Sequence, residues 1–143
     1  MYGVVLSSLM LCAIPNSETF NNIKAYATCL NNNKKINHVI EWRDDISLYF
    51  EDEDVREALL IVYCESSGNP NAVNINKDNS RDVGLFQFWD NTWQWLENKL
   101  NFTGNRKTPS LNIKVASWLY YKSGSHHWNN SKHCWEENII YEQ

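Results

Sequence analysis

The 143-residue sequence predicts one α+β domain, mostly α, with a small β-hairpin beside its central helix. Three observations carry this. Val55, Ala58, Leu59 and Val62 recur at helical spacing, as do Leu111, Val115, Trp118 and Leu119. Between these stretches, Asn74–Gly84 is dense in Asn, Asp and Ser, the composition of a tight hairpin or irregular loop. The length suits one domain that buries a core without depending on disulfides.

The elements follow in chain order. Residues 1–15, MYGVVLSSLMLCAIP, are apolar but too short to span a bilayer as an ordinary helix. They resemble the apolar region of an export signal without its charged start, so they read as a signal peptide or an apolar N-terminal segment. Ala25-Tyr26-Ala27 has the small-x-small form of a cleavage site, rather far downstream. Residues 16–38 are Asn- and Lys-rich with little apolar periodicity, which predicts a linker or loose arm with a short helix near Ile23–Leu30. The compact domain is expected over residues 39–143.

Asp54 or Asp52 can cap the central helix, and Glu57, three residues after Asp54, gives the form of a capping box. Gly68 suits the left-handed position after it, and Pro70 forbids continuation. Asp90 or Asn91 caps a helix running to about Leu100, and Asn101–Ser110 reads as a loop. A helix over Leu111–Ser123 ends at Gly124, and the polar-aromatic tail has room for one more short helix.

A net charge of −4, a pI near 5.5 and the lack of any long Lys/Arg run argue against a nucleic-acid binder. The Glu51–Asp54 run reads as a solvated helix start. Seven Trp and seven Tyr are many for this length. Trp93, Trp95 and Trp118 lie in helices and read as core, whereas Trp89 and Trp128 are the better candidates for a cleft. The four cysteines, 12, 29, 64 and 134, show neither CxxC nor zinc spacing. Loss of residues 1–15 would leave one intramolecular pair and one free thiol.

Two acids stand out. Glu65 falls in the last turn of the central helix, where the negative end of the helix dipole disfavours its ionised form. Burial beside Trp or Phe would raise its pKa further. Asp82 lies in a polar Ser/Asn/Arg-rich turn, the environment of an ionised carboxylate. Environments that push two carboxyl pKa values apart assign an acid and a charged partner. Glycoside cleavage needs both: a proton for the glycosidic oxygen and stabilisation of an oxocarbenium-like centre. Bland readings stand beside these. Asp82 also fits a residue that merely caps the hairpin, and Gln87 and Asn76 fit turn-shaping roles.

Residues 64–88 resemble the lysozyme-like superfamily of peptidoglycan-cleaving enzymes. Glu65-Ser66 with Gly84-Leu85-Phe86-Gln87 is similar to the E-S and G-L-x-Q motifs of soluble lytic transglycosylases. Asn74-x-Asn76-x-Asp78-x-Ser80-x-Asp82-x-Gly84-x-x-Gln87 is similar to the substrate hairpin of c-type lysozymes, whose final Asp is the second catalytic carboxylate. Cys64-Glu65-Ser66 with Trp128 and Cys134 resembles resuscitation-promoting factors, and that resemblance implies a Cys64–Cys134 disulfide. The likeness covers residues 40–135.

The sequence departs from these families in two places. The late A-Y-N transglycosylase motif is missing, leaving Tyr120 or Tyr121 to contact the acid, and the tail has a single Trp before its Cys.

What the resemblance implies is a lysozyme-like fold and a muramidase. Glu65 and Asp82 would be catalytic, and Ser66, Asn76, Gln87, Trp89 and Trp128 would bind substrate. The expected partner is a peptidoglycan glycan strand, with no nucleic acid, and with membrane contact only through the N-terminal segment. No cofactor is expected. His126, His127 and His133 are metal-ligand types, but Cys134 has the better use in a disulfide, so no metal is expected either. The implied location is secreted, periplasmic or virion-associated. The competing class is a non-catalytic glycan-binding or virion structural component. Asn101-Phe102-Thr103 and Asn129-Asn130-Ser131 are sequons, meaningful only in a eukaryotic secretory host.

Overall fold

The computed structural model describes residues 20–139. The readings made for residues 1–15 lie outside them. The chain is α+β and mostly α, as expected.

Helix α3 (Val55–Ser66) is the axis of the molecule. Val55, Ala58, Leu59, Leu60, Ile61 and Val62 are all buried, so α3 is enclosed on nearly every side. Helices α1 (Phe20–Ile40), α2 (Arg43–Ser47) and α6 (Lys132–Ile139) pack against it. Helices α4 (Asp90–Leu100) and α5 (Pro109–Ser123) add Trp93, Leu96, Ile113, Ala116 and Leu119 to the same core. Pro109 at the first turn of α5 starts that helix two residues before the expected Leu111.

The Asn/Lys-rich stretch expected as a loose arm is instead α1, and its Ile36 and Val39 are fully buried. Few of its other side chains are covered, so the apolar stripe is too thin to reveal a helix from spacing. The expected capping box does not form. Asp54 does precede α3, but its carboxylate makes no cap. It accepts instead from the hydroxyls of Tyr120 (3.2 Å) and Tyr121 (2.8 Å). Burial, reinforced by Glu57 and Asp54, holds the Tyr120 hydroxyl protonated well above the usual phenol range. Trp93 is core, whereas Trp95 is 48% exposed and Trp118 only partly buried.

After α3 the chain forms a three-stranded antiparallel sheet: β1 (Val73–Ile75), β2 (Arg81–Val83) and β3 (Phe88–Trp89), in that order. Asp82 pairs with Asn74 on one side and Trp89 on the other. Alternation along the strands puts these three on one face. Val83 pairs with Phe88 on the other face, and both are buried. The expected hairpin is therefore present, with one extra two-residue strand.

Gly84 explains how the sheet meets the helices. Its φ is +89°, and a Cβ there would collide with the Arg106 carbonyl and the Asn112 side chain. Asn112, fully buried on α5, accepts from the Phe86 amide (3.0 Å) and donates to the Arg106 carbonyl (2.8 Å). Arg106 in turn donates to the carbonyls of Arg81 and Phe88 and pairs with Asp90.

Candidate active site

The C-terminal end of α3, the sheet face and the 3₁₀ segment Ser125–Ser131 enclose a cleft of about 480 Å³. Glu65 enters it from the last turn of α3. Asn74, Asn76, Asp82 and Trp89 enter from the sheet, and His127, Trp128, Asn130 and Ser131 from the 3₁₀ segment. Phe86, Phe88 and Leu119 add apolar lining. Among the described residues, no Lys or Arg lines it.

Helix α3 stops where Ser67 adopts a left-handed conformation and Gly68 follows at φ +77°. A Cβ on Gly68 would lie 2.6 Å from the His38 carbonyl oxygen, so the turn docks tightly on α1. The stop leaves Glu65 facing the cleft. Burial pushes its carboxyl above the ordinary glutamate range. A hydrogen bond from Ser131 opposes that shift, and the nearby charge of Asp82 adds to it. The environment therefore favours a protonated carboxyl in the cleft, as an acid catalyst requires.

Asp82 is held differently. Its Oδ2 accepts from the side-chain amides of Asn76 (3.1 Å) and Asn74 (3.4 Å). Asn76 also reaches Ser80 Oγ (3.2 Å), and its backbone N–H closes the hairpin on the Ser80 carbonyl (2.8 Å). Asn76 is thus an orienting partner of Asp82 within the cleft.

Gln87, also expected to bind substrate, lines the cleft in a left-handed conformation (φ +48°). Its side-chain amide donates to the carbonyls of Gly84 (2.8 Å) and Ala72 (3.3 Å), bracing the turn and leaving its side-chain oxygen uncommitted to them. Trp89 is 37% exposed on the cleft. Trp128 lines it while buried, its indole N–H donating to the Phe86 carbonyl (3.0 Å).

Ser66 is placed elsewhere. It is buried, its hydroxyl donates back to the Val62 carbonyl (3.2 Å), and it does not line the cleft. Tyr120 and Tyr121, the two alternatives for a tyrosine at the acid, are engaged with Asp54 at the opposite end of α3. The contact to Glu65 comes from Ser131, whose hydroxyl donates to Oε1 at 2.5 Å.

The bridge between Cys64 and Cys134 is formed, with Cα atoms 6.0 Å apart. It joins the residue before Glu65 to α6. Cys29 is disulfide-bonded as well. Among the described residues no cluster suited to a metal ion occurs.

Sequence reasoning missed Ser131, His127, Asn130 and Thr92 as cleft residues. For Ser131 a signal existed. Joining Cys134 to the neighbour of Glu65 brings the tail residues just before Cys134 up to the acid.

A carboxyl with a raised pKa and a carboxyl oriented by two asparagines thus share an open, aromatic-rimmed cleft on a lysozyme-like fold. The family model for the transglycosylase SLT domain matches residues 51–134, more than half of the chain, and the chain belongs to that family. Its members cleave glycosidic bonds in the peptidoglycan of the cell wall. No curated protein and no solved structure matches the chain. Among the described residues no helix is long and apolar enough to cross a membrane.

Proposed function

We propose that the protein is a muramidase that cleaves the β-1,4 bond between N-acetylmuramic acid and N-acetylglucosamine, with Glu65 as acid and then base. The supporting observation is a desolvated Glu65 with a raised pKa in the cleft, beside an ionisable Asp82. Glu65 gives its proton to the glycosidic oxygen as the C1–O bond breaks. The muramoyl 6-hydroxyl then attacks C1, and its proton returns to the Glu65 carboxylate. The product is a 1,6-anhydro sugar, and no water is consumed. Only one carboxyl group shuttles a proton, and Asp82 supports the developing positive charge.

Hydrolysis is the second reading. It is favoured by the two asparagine amides that fix Asp82 toward the cleft. Asp82 would then stabilise or trap the intermediate while water completes the reaction. The substrate places the protein on the wall side of a cell, secreted or periplasmic, or on a virion that opens the wall.

Turbidity loss of purified sacculi tests the reading. Glu65→Gln should lower the rate by at least about 100-fold. Asp82→Asn should be comparably severe only for the hydrolytic route. Binding to sacculi with no turbidity loss by the wild-type protein would instead mean a non-catalytic glycan-binding component.

A further inference from the structure

We propose that Ser131 is a positioning residue for Glu65: its hydroxyl holds Oε1 and so leaves Oε2 as the oxygen that carries and recovers the proton. This rests on Glu65 being the proton carrier of the site.

The hydroxyl has one hydrogen and two acceptors in reach, Glu65 Oε1 at 2.5 Å and the Trp128 carbonyl at 3.1 Å. The Trp128 carbonyl already receives the buried indole N–H of Trp135 at 3.1 Å. It does not need the serine proton, which is therefore free for the carboxylate. A hydroxyl donating to a carboxylate is stronger than one donating to a neutral carbonyl. The bond thus tightens when Glu65 has given up its proton, the state in which it must act as base.

Three ties keep Ser131 at this place. Trp128, three residues before it, is anchored to the Phe86 carbonyl. Trp135, four residues after it, is buried. Between them Cys134 is bonded to Cys64, the neighbour of Glu65. Acid and donor therefore sit near the two ends of one crosslink, which limits how far they can separate.

Few other charges compete. Asp82 on β2 faces the same cleft and disfavours ionisation, whereas Ser131 favours it. His127 of the 3₁₀ segment lines the cleft, and desolvation lowers its pKa, so it is neutral at neutral pH. On α6, Lys132 is paired with Glu136 at 3.4 Å.

The test is a carboxyl ¹³C NMR titration of glutamate-labelled protein, with the Glu65 signal assigned by its loss in Glu65→Gln. In Ser131→Ala the acid dissociation constant of Glu65 should fall about tenfold. Ser131→Thr, which keeps the hydroxyl, should restore it. The alkaline limb of the pH–rate profile should move up with the titration.

The melting temperature should hold, because alanine strands no buried donor. Should Ser131→Ala fail to fold, Ser131→Cys keeps the volume with a weaker donor and should shift the titration the same way. An unchanged Glu65 titration in folded Ser131→Ala or Ser131→Cys overturns the proposal. The titration needs no turnover. A shifted titration in a protein whose activity survives Glu65→Gln would keep the Ser131 coupling and reject Glu65 as catalyst.

Discussion

Removing the Cys64–Cys134 bridge should cost the fold more than any single side chain discussed above. The crosslinked cysteines lie 70 residues apart, and closing a loop of that size restricts the unfolded chain by about 4 kcal/mol. For a domain of this length each kcal/mol moves the midpoint by about 3–4 °C, so the loss should be about 12–16 °C. Reductant is the wrong tool, because Cys29 is disulfide-bonded too. The Cys64→Ala/Cys134→Ala double variant isolates this bridge, followed by thermal and urea unfolding. Either single alanine should cost about as much as the pair, since each abolishes the same bond. A drop below about 3 °C would refute the argument. It would mean that the unfolded ensemble already keeps the tail near α3, as contacts of Trp128 and Trp135 could do.

Two further outcomes follow from named residues. Glu65 has its folded pKa raised above the reference value of 4.5, so the folded state favours the neutral form. Its contribution to stability is fully present below the unfolded pKa and is lost as pH rises through the folded pKa. Glu65→Gln should therefore unfold at higher urea than wild type at neutral pH, with the advantage vanishing near pH 4; a pH-independent difference would contradict this. Gly84→Ala forces a side chain into a left-handed conformation and into backbone, so it should cost at least about 2 kcal/mol by urea unfolding, against under about 0.5 kcal/mol for an exposed substitution.

What the sequence disclosed depended on how local the cause was. Helix α3 was legible because its apolar spacing, and the Gly68 and Pro70 stop, lie within one short stretch. The hairpin was legible from its Asn, Asp and Ser content, but β3 has two residues and no period to detect. Helix α1 was hidden because only Ile36 and Val39 among its described residues are fully buried. Asp54 was misread because its partners, Tyr120 and Tyr121, sit far along the chain on another helix. Tertiary contact overrode a local capping signal there. In the site, Glu65, Asp82, Asn76 and Gln87 were named from motif spacing and Trp89 and Trp128 as tryptophans outside the predicted helices, and all six line one cleft. Ser66 does not, because its hydroxyl is spent inside α3. Ser131 was missed because its place follows from the Cys64–Cys134 crosslink, which the resemblance implies but motif spacing alone does not assign.

In the proposed reaction one carboxyl, Glu65, first gives and then recovers a proton in a cleft where the muramoyl 6-hydroxyl is the attacking group. Mass spectrometry of the muropeptides released from purified sacculi tests it most directly, with Glu65→Gln as control. The expected products carry 1,6-anhydromuramoyl ends, lighter than the hydrolysed product by one water, with none from the variant. Reducing muramic ends would contradict it and make Asp82 a catalytic partner in hydrolysis.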